Sequence, residues 1–125
     1  MIYGIGIDLC SIRRVQNIKD LNKFANKILT SDEIEYLDTL DQKNSVNYLA
    51  KQFAAKEALS KALGTGLTGD VKLNLIEIDR DQSGKPYIKM NDHMKTLLSK
   101  IGVNSTFVSL ADDSDFAVAT VILER

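Results

Sequence analysis

The fold class predicted from the sequence is α+β: an antiparallel sheet with a long alanine-rich helix packed on one of its faces. Three observations predict it. Residues 2–9, about 104–111 and 115–124 alternate as strands do, and only the polar turn at 112–114 separates the last two. Residues from about 45 to 63 are rich in small helix formers and stop at Gly64, where a left-handed C-terminal cap is wanted. The chain has 125 residues, 44% apolar and 26% charged, which is material for a single domain, 1–125, with one core.

In the first strand Tyr3, Ile5, Ile7 and Leu9 point to one face, Gly4, Gly6 and Asp8 to the other. Two glycines on one face predict close approach by another backbone or a ligand, and the bare stripe ends in the carboxylate of Asp8. Ser11 is placed to cap a helix over roughly 12–22, with Ile12, Val15 and Ile18 in its apolar stripe and basic residues on its polar side. Thr30-Ser31-Asp32-Glu33 forms a capping box that opens an acidic helix to about residue 40. The long helix follows the polar break at 41–44. Residues 73–79 read as a strand, 81–86 as a turn and 87–89 as a short edge strand. Asn91 is placed to cap a helix running to about 101, with His93 a surface residue near its start.

Several function classes are excluded or disfavoured. The net charge of -1 gives no global basicity for nucleic acid, and no apolar run reaches the length of a membrane span. The start Met-Ile-Tyr-Gly has no signal-peptide pattern, and a single cysteine, Cys10, fits a reducing cytosol. One cysteine and one histidine make a zinc site within the chain improbable, so a bound metal would be a hard cation held by oxygen.

The segment Phe53-Ala54-Ala55-Lys56-Glu57-Ala58-Leu59-Ser60-Lys61 ends at Gly64-Thr65-Gly66 and places Glu57 and Lys61 one helical turn apart. Asp8 and Glu57, each beside small residues, can share a magnesium ion whose other ligands are water and phosphate. The residues alone favour a plainer reading, with Asp8 a helix-start acid and Glu57 half of an exposed pair with Lys61. Lys56 and Lys61 either neutralise phosphate or lie over the helix surface. The Gly64–Gly66 corner admits a phosphate to backbone amides, or is simply a helix end; it lacks P-loop spacing. Residues 1–30 carry Arg13, Arg14, Lys19, Lys23 and Lys27 against Asp8 and Asp20, a face able to steer an acidic partner or merely a solvated one.

The order of these motifs resembles the holo-acyl carrier protein synthases, small bacterial 4'-phosphopantetheinyl transferases. The residues carrying the resemblance are Gly4-Ile5-Gly6-Ile7-Asp8-Leu9, Lys27-Ile28-Leu29-Thr30 with Glu33, and Phe53-Ala54-Ala55-Lys56-Glu57-Ala58 with Lys61 and Gly64-Thr65-Gly66. Asn74 to Ile78, Gly84-Lys85-Pro86 and Val108-Ser109-Leu110 continue it over essentially the whole chain.

The resemblance implies a magnesium-dependent transfer of 4'-phosphopantetheine from coenzyme A to a serine of apo-acyl carrier protein, with adenosine 3',5'-bisphosphate released, in fatty acid biosynthesis in the cytoplasm. By position it assigns Asp8 and Glu57 to magnesium and Lys61 to the transferred phosphate. Arg14, Lys23, Phe24 and Lys27 fall where the carrier protein docks, and Lys56, Gly64, Thr65, Gly66 and Ser109 on the coenzyme A side. It implies a homotrimer with clefts between subunits, which would explain the glycine stripe and the alanine-rich helix. Two departures lie at the implied 3'-phosphate end: Gln52 in place of an arginine, and Ala111-Asp112 in place of a Ser/Thr-His pair. They leave a second reading, a binding paralogue without transfer, and Lys51 as a substitute cation.

Overall fold

The computed structural model describes residues 1–125. Strand β1 (Ile2–Ser11) leads through two short helices, α1 (Ile12–Gln16) and α2 (Leu21–Ile28), to α3 (Ser31–Leu37) and the long α4 (Gln42–Leu63). A single 3-10 turn at Leu73–Leu75 precedes the hairpin of β2 (Ile78–Arg80) and β3 (Pro86–Ile88). Helix α5 (Asp92–Lys100) and strands β4 (Ser105–Asp112) and β5 (Phe116–Glu124) complete the chain. The main sheet is antiparallel throughout in the order β1-β5-β4, with β5 central; β2 and β3 form a separate two-stranded sheet.

Helix α4 lies on one face of the main sheet. Ala117, Ala119, Val121 and Leu123 of β5 point toward it and are fully buried, as are Leu49, Ala50, Ala54, Ala58 and Leu59 of the helix. These belong to a core of 28 buried residues. The glycine stripe of β1 meets this helix: an ideal Cβ on Gly6 would stand 1.8 Å from the carbonyl oxygen of Ala58, and one on Gly4 2.0 Å from that of Ala62. The close approach is therefore backbone to backbone within one chain. The stripe and the alanines need no neighbouring subunit to account for them, which corrects that part of the expectation.

The opposite sheet face is apolar and open. Cross-strand rows there are Ile5–Ile122–Phe107, Ile7–Thr120–Ser109 and Leu9–Val118–Ala111. Ile5, Ile7 and Leu9 are each about 60% exposed.

Local chemistry explains the differences from the sequence reading. The helix expected over 12–22 breaks in two because Asp20 accepts the Lys23 N–H at 3.0 Å and caps a new helix. Helix α4 starts three residues early, capped by Asp41 on the Asn44 N–H at 2.8 Å. Gly64 ends it at φ 80°, the left-handed cap the sequence called for. The strand expected over 73–79 is a 3-10 turn followed by three residues of strand. The capping box of Thr30 and Glu33 is present with both of its hydrogen bonds.

Candidate active site

Asp8 ends the glycine stripe, on the sheet face that carries α4. Because Gly4 and Gly6 seat β1 directly on Ala62 and Ala58, the strand runs antiparallel to the helix and brings Asp8 beside the turn that holds Glu57 and Lys61. The Lys61 ammonium donates to Asp8 Oδ1 at 3.1 Å and to the Ile7 carbonyl at 2.9 Å. Lys61 pairs with Asp8 and not with Glu57, so the exposed Glu57–Lys61 pair is not formed.

Asp8 and Glu57 line one cavity of about 410 Å³ together with Arg14, Cys10, Phe24 and Phe53. Burial raises the Glu57 carboxyl above its ordinary value, and the Asp8 charge raises it further, while Lys61 opposes the rise. Glu57 and Asp8 therefore feel one another electrostatically. Burial likewise raises the Cys10 thiol, with Asp8 adding to the effect, so the sulfur is held as the unreactive thiol.

Two carboxylates on one cavity wall suit a hard divalent cation that prefers oxygen. No third Asp, Glu, His or Cys completes a metal-holding group with them. A cation here would take its remaining ligands from water and substrate oxygen.

The other expected residues divide into three groups. Arg14 and Phe24 line the Asp8–Glu57 cavity, and Lys23 and Lys27 stand exposed on α2, the helix that carries Phe24. The Phe24 ring packs on Phe53 with centroids 5.7 Å apart. Thr65 lines a different cavity, about 260 Å³, with Tyr3, Leu63, Leu97 and Lys100 beyond the end of α4. Gly64 and Gly66 have positive φ, and neither has an atom within 4 Å of the place a Cβ would take. Ser109 lies on the open sheet face, in the row of Ile7 and Thr120. Within one chain, then, Ser109 and the Gly64–Gly66 corner sit on opposite sides of the sheet.

Lys56 is a correction. Assigned to phosphate, it has no exposed surface at all; its ammonium donates to Glu33 Oε1, to the Ile28 carbonyl at 2.6 Å and to the Leu73 carbonyl at 3.0 Å. Burial lowers its proton affinity, against the pull of Glu33. Gln52 is equally buried, donating to Glu33 Oε2 and to the Ile78 carbonyl at 2.9 Å and accepting from Arg80 at 3.0 Å. Lys51, a candidate substitute cation, already faces Asp112 at 3.7 Å. His93 is half-buried, not a surface residue, and its enclosed Nε2 has no hydrogen-bond partner.

The sequence reading missed the buried node around Glu33 and the wall formed by Phe53. The signal was present: Leu49, Gln52, Lys56, Leu59 and Leu63 recur at helical spacing, so a polar pair rides on the buried stripe of α4.

The sequence and the fold are similar to those of known proteins. The sequence model of the 4'-phosphopantetheinyl transferase superfamily matches residues 4–121. The holo-[acyl-carrier-protein] synthase of Bacillus subtilis (strain 168) is 39% identical over 126 residues, covering 100% of this chain and 98% of that protein. The crystal structure of the Neisseria meningitidis holo-[acyl-carrier-protein] synthase superposes with a TM-score of 0.92 at 39% identity, over the full length of both chains. The Bacillus anthracis str. Ames enzyme, solved in complex with CoA (3',5'-ADP), gives 0.85 at 36% identity, covering 99% of this chain and 97% of that one. A match of this extent, with a carboxylate-lined cavity at the seam of β1 and α4, places the chain in the 4'-phosphopantetheinyl transferase superfamily.

Proposed function

We propose that this chain is a magnesium-dependent holo-acyl carrier protein synthase. It moves 4'-phosphopantetheine from coenzyme A to a serine of apo-acyl carrier protein. The observation that carries this reading is the convergence of Asp8 and Glu57, 49 residues apart in sequence, on one cavity, with Lys61 bonded to Asp8, in a chain of this family.

In the reaction the serine oxygen gives up its proton to solvent and bonds to the phosphorus that bears the pantetheine. The bond from that phosphorus to the bridging oxygen breaks, and adenosine 3',5'-bisphosphate leaves with the bridging oxygen. Such a transfer asks the protein mainly for positioning and charge neutralisation. Asp8 and Glu57 would hold magnesium, which when bound neutralises pyrophosphate charge. Lys61, a half-exposed ammonium anchored on the Ile7 carbonyl, supplies a positive charge to the departing phosphate. Phe24 and Phe53 form an apolar wall that keeps water from competing with the serine. Arg14, Lys23 and Lys27 attract the acidic carrier protein to that wall.

The working form is a homotrimer in the cytoplasm, serving fatty acid biosynthesis. The open apolar face of the sheet supports the assembly, since a patch of this kind calls for a partner. It also supports a cleft shared between copies, because Ser109 lies on that face and the Gly64–Gly66 corner does not. The unpaired cysteine fits a reducing compartment, and no helix is long and apolar enough to cross a membrane.

Intact-mass measurement of apo-carrier protein incubated with the chain, coenzyme A and magnesium tests the reading. The expected result is a covalent phosphopantetheine adduct that requires magnesium. Carrier binding with no adduct would instead identify a binding paralogue.

A further inference from the structure

The motif residues Ile28, Thr30, Glu33 and Lys56 have no place in the transfer chemistry, yet they meet at one point. Lys56 is the largest side chain in the protein with no exposure, and all three of its N–H donors are used. Glu33 Oε1 also accepts the Thr30 N–H at 2.9 Å. Its Oε2 accepts from Gln52 and from the Ile78 N–H at 3.0 Å. A buried ion pair is weak evidence for stability, because desolvation offsets the attraction. Its placement is more telling. Ile28 is the last residue of α2, and its carbonyl is one that no intrahelical donor reaches.

The node stands one helical turn from the cavity wall on both helices. On α2, Phe24 precedes Ile28 by four residues; on α4, Phe53 precedes Lys56 by three and Glu57 follows it. Phe24 and Phe53 are the rings that pack together beside Asp8 and Glu57. Lys56 also holds the 3-10 turn at Leu73, against which α2 rests.

We propose that the Lys56–Glu33 pair is a positioning device: it pins the C-terminal end of α2 to α4 and so sets where the Phe24 wall stands relative to Glu57. Its consequence for catalysis rests on the function proposed above. Of the proposed site residues α2 carries only those on the carrier side, Lys23, Phe24 and Lys27, so loosening it selects against the carrier protein and spares coenzyme A.

The test is the double variant Lys56→Met with Glu33→Gln, which removes both buried charges together and so leaves neither one uncompensated. Its amide exchange and steady-state kinetics are compared with those of the unaltered chain. Exchange in α2 should quicken about tenfold or more while α5 is unchanged. The KM for carrier protein should rise about tenfold, and that for coenzyme A should stay within about twofold. Unchanged exchange in α2 overturns the proposal. So does a variant whose active concentration falls with neither KM moving, or whose two KM values rise together, since a merely structural role gives those results. Should the unaltered chain form no adduct, the proposed function fails, and exchange in α2 alone decides whether the pair pins the helix.

Discussion

At the scale of single residues, charge state governs the site. Glu57 sits partly buried beside Asp8, and both circumstances favour its neutral form. A carboxyl whose folded pKa is raised loses a contribution to stability as pH rises, because ionisation is then disfavoured in the fold. Cation binding reverses that penalty, since only the ionised form is a ligand. Carbon-detected titration should therefore place the Glu57 carboxyl above the ordinary glutamate value. Asp8→Asn should lower it part of the way, because burial remains the larger cause, and added magnesium should lower it in the unaltered chain. Glu57→Gln keeps the shape and removes the charge, so adduct formation should fall by about a hundredfold or more. Transfer at the original rate without need of magnesium would remove Glu57 from its role. The meeting of Asp8 with the Glu57–Lys61 turn was legible in sequence because short motifs mark all three residues. The true partner of Lys61 was not legible, because Asp8 lies 53 positions away and helical spacing favours Glu57. Lys56 failed for a related reason: side-chain chemistry suggests a surface lysine, and only the packing of α2, α3 and the 3-10 turn around α4 encloses it.

Among the elements, the seam of β1 and α4 leaves no room for a side chain. Their backbones touch at Gly4 and Gly6, so a methyl group at either position would have to displace a helix carbonyl. Gly6→Ala should cost about 3 kcal/mol of unfolding free energy, as overpacking against unyielding backbone does, and urea titration measures it. A smaller cost, with the fold retained, would mean that the helix can back away. The stripe was visible in the alternation of residues 2–9, but the alternation does not say whether a helix, a ligand or a second chain lies across it. The single helix expected over 12–22 shows the converse limit. Apolar periodicity ran on through Ile18, yet Asp20 offered its carboxylate to the backbone and a new helix began there. The 3-10 turn at Leu73–Leu75 was hidden for the same reason that Lys56 was: its Leu73 carbonyl is fixed by a side chain 17 residues earlier.

On the scale of the whole molecule, the sheet has one face closed by α4 and one left apolar. Ile7 stands in the middle row of the open face, between rows that hold Phe107 and Leu9. Ile7→Glu places a charge at the centre of the proposed assembly without touching the helix side. Light scattering should then give the mass of one 13.9 kDa chain where the unaltered protein gives three. Transfer should fall in parallel, because the cleft is proposed to lie between copies. A variant that remained trimeric would move the interface elsewhere. The layered architecture was legible from periodicity, which records which side chains are apolar. It does not record which apolar face meets its own chain, and β1 presents glycine to its own chain and isoleucine to solvent. The contact at Gly4 and Gly6 also bears on how the cavity responds to stress. No rotatable side chain intervenes there, so thermal slack at that seam has nowhere to accumulate. Its two carboxylates should hold their spacing up to the melting transition and then part all at once.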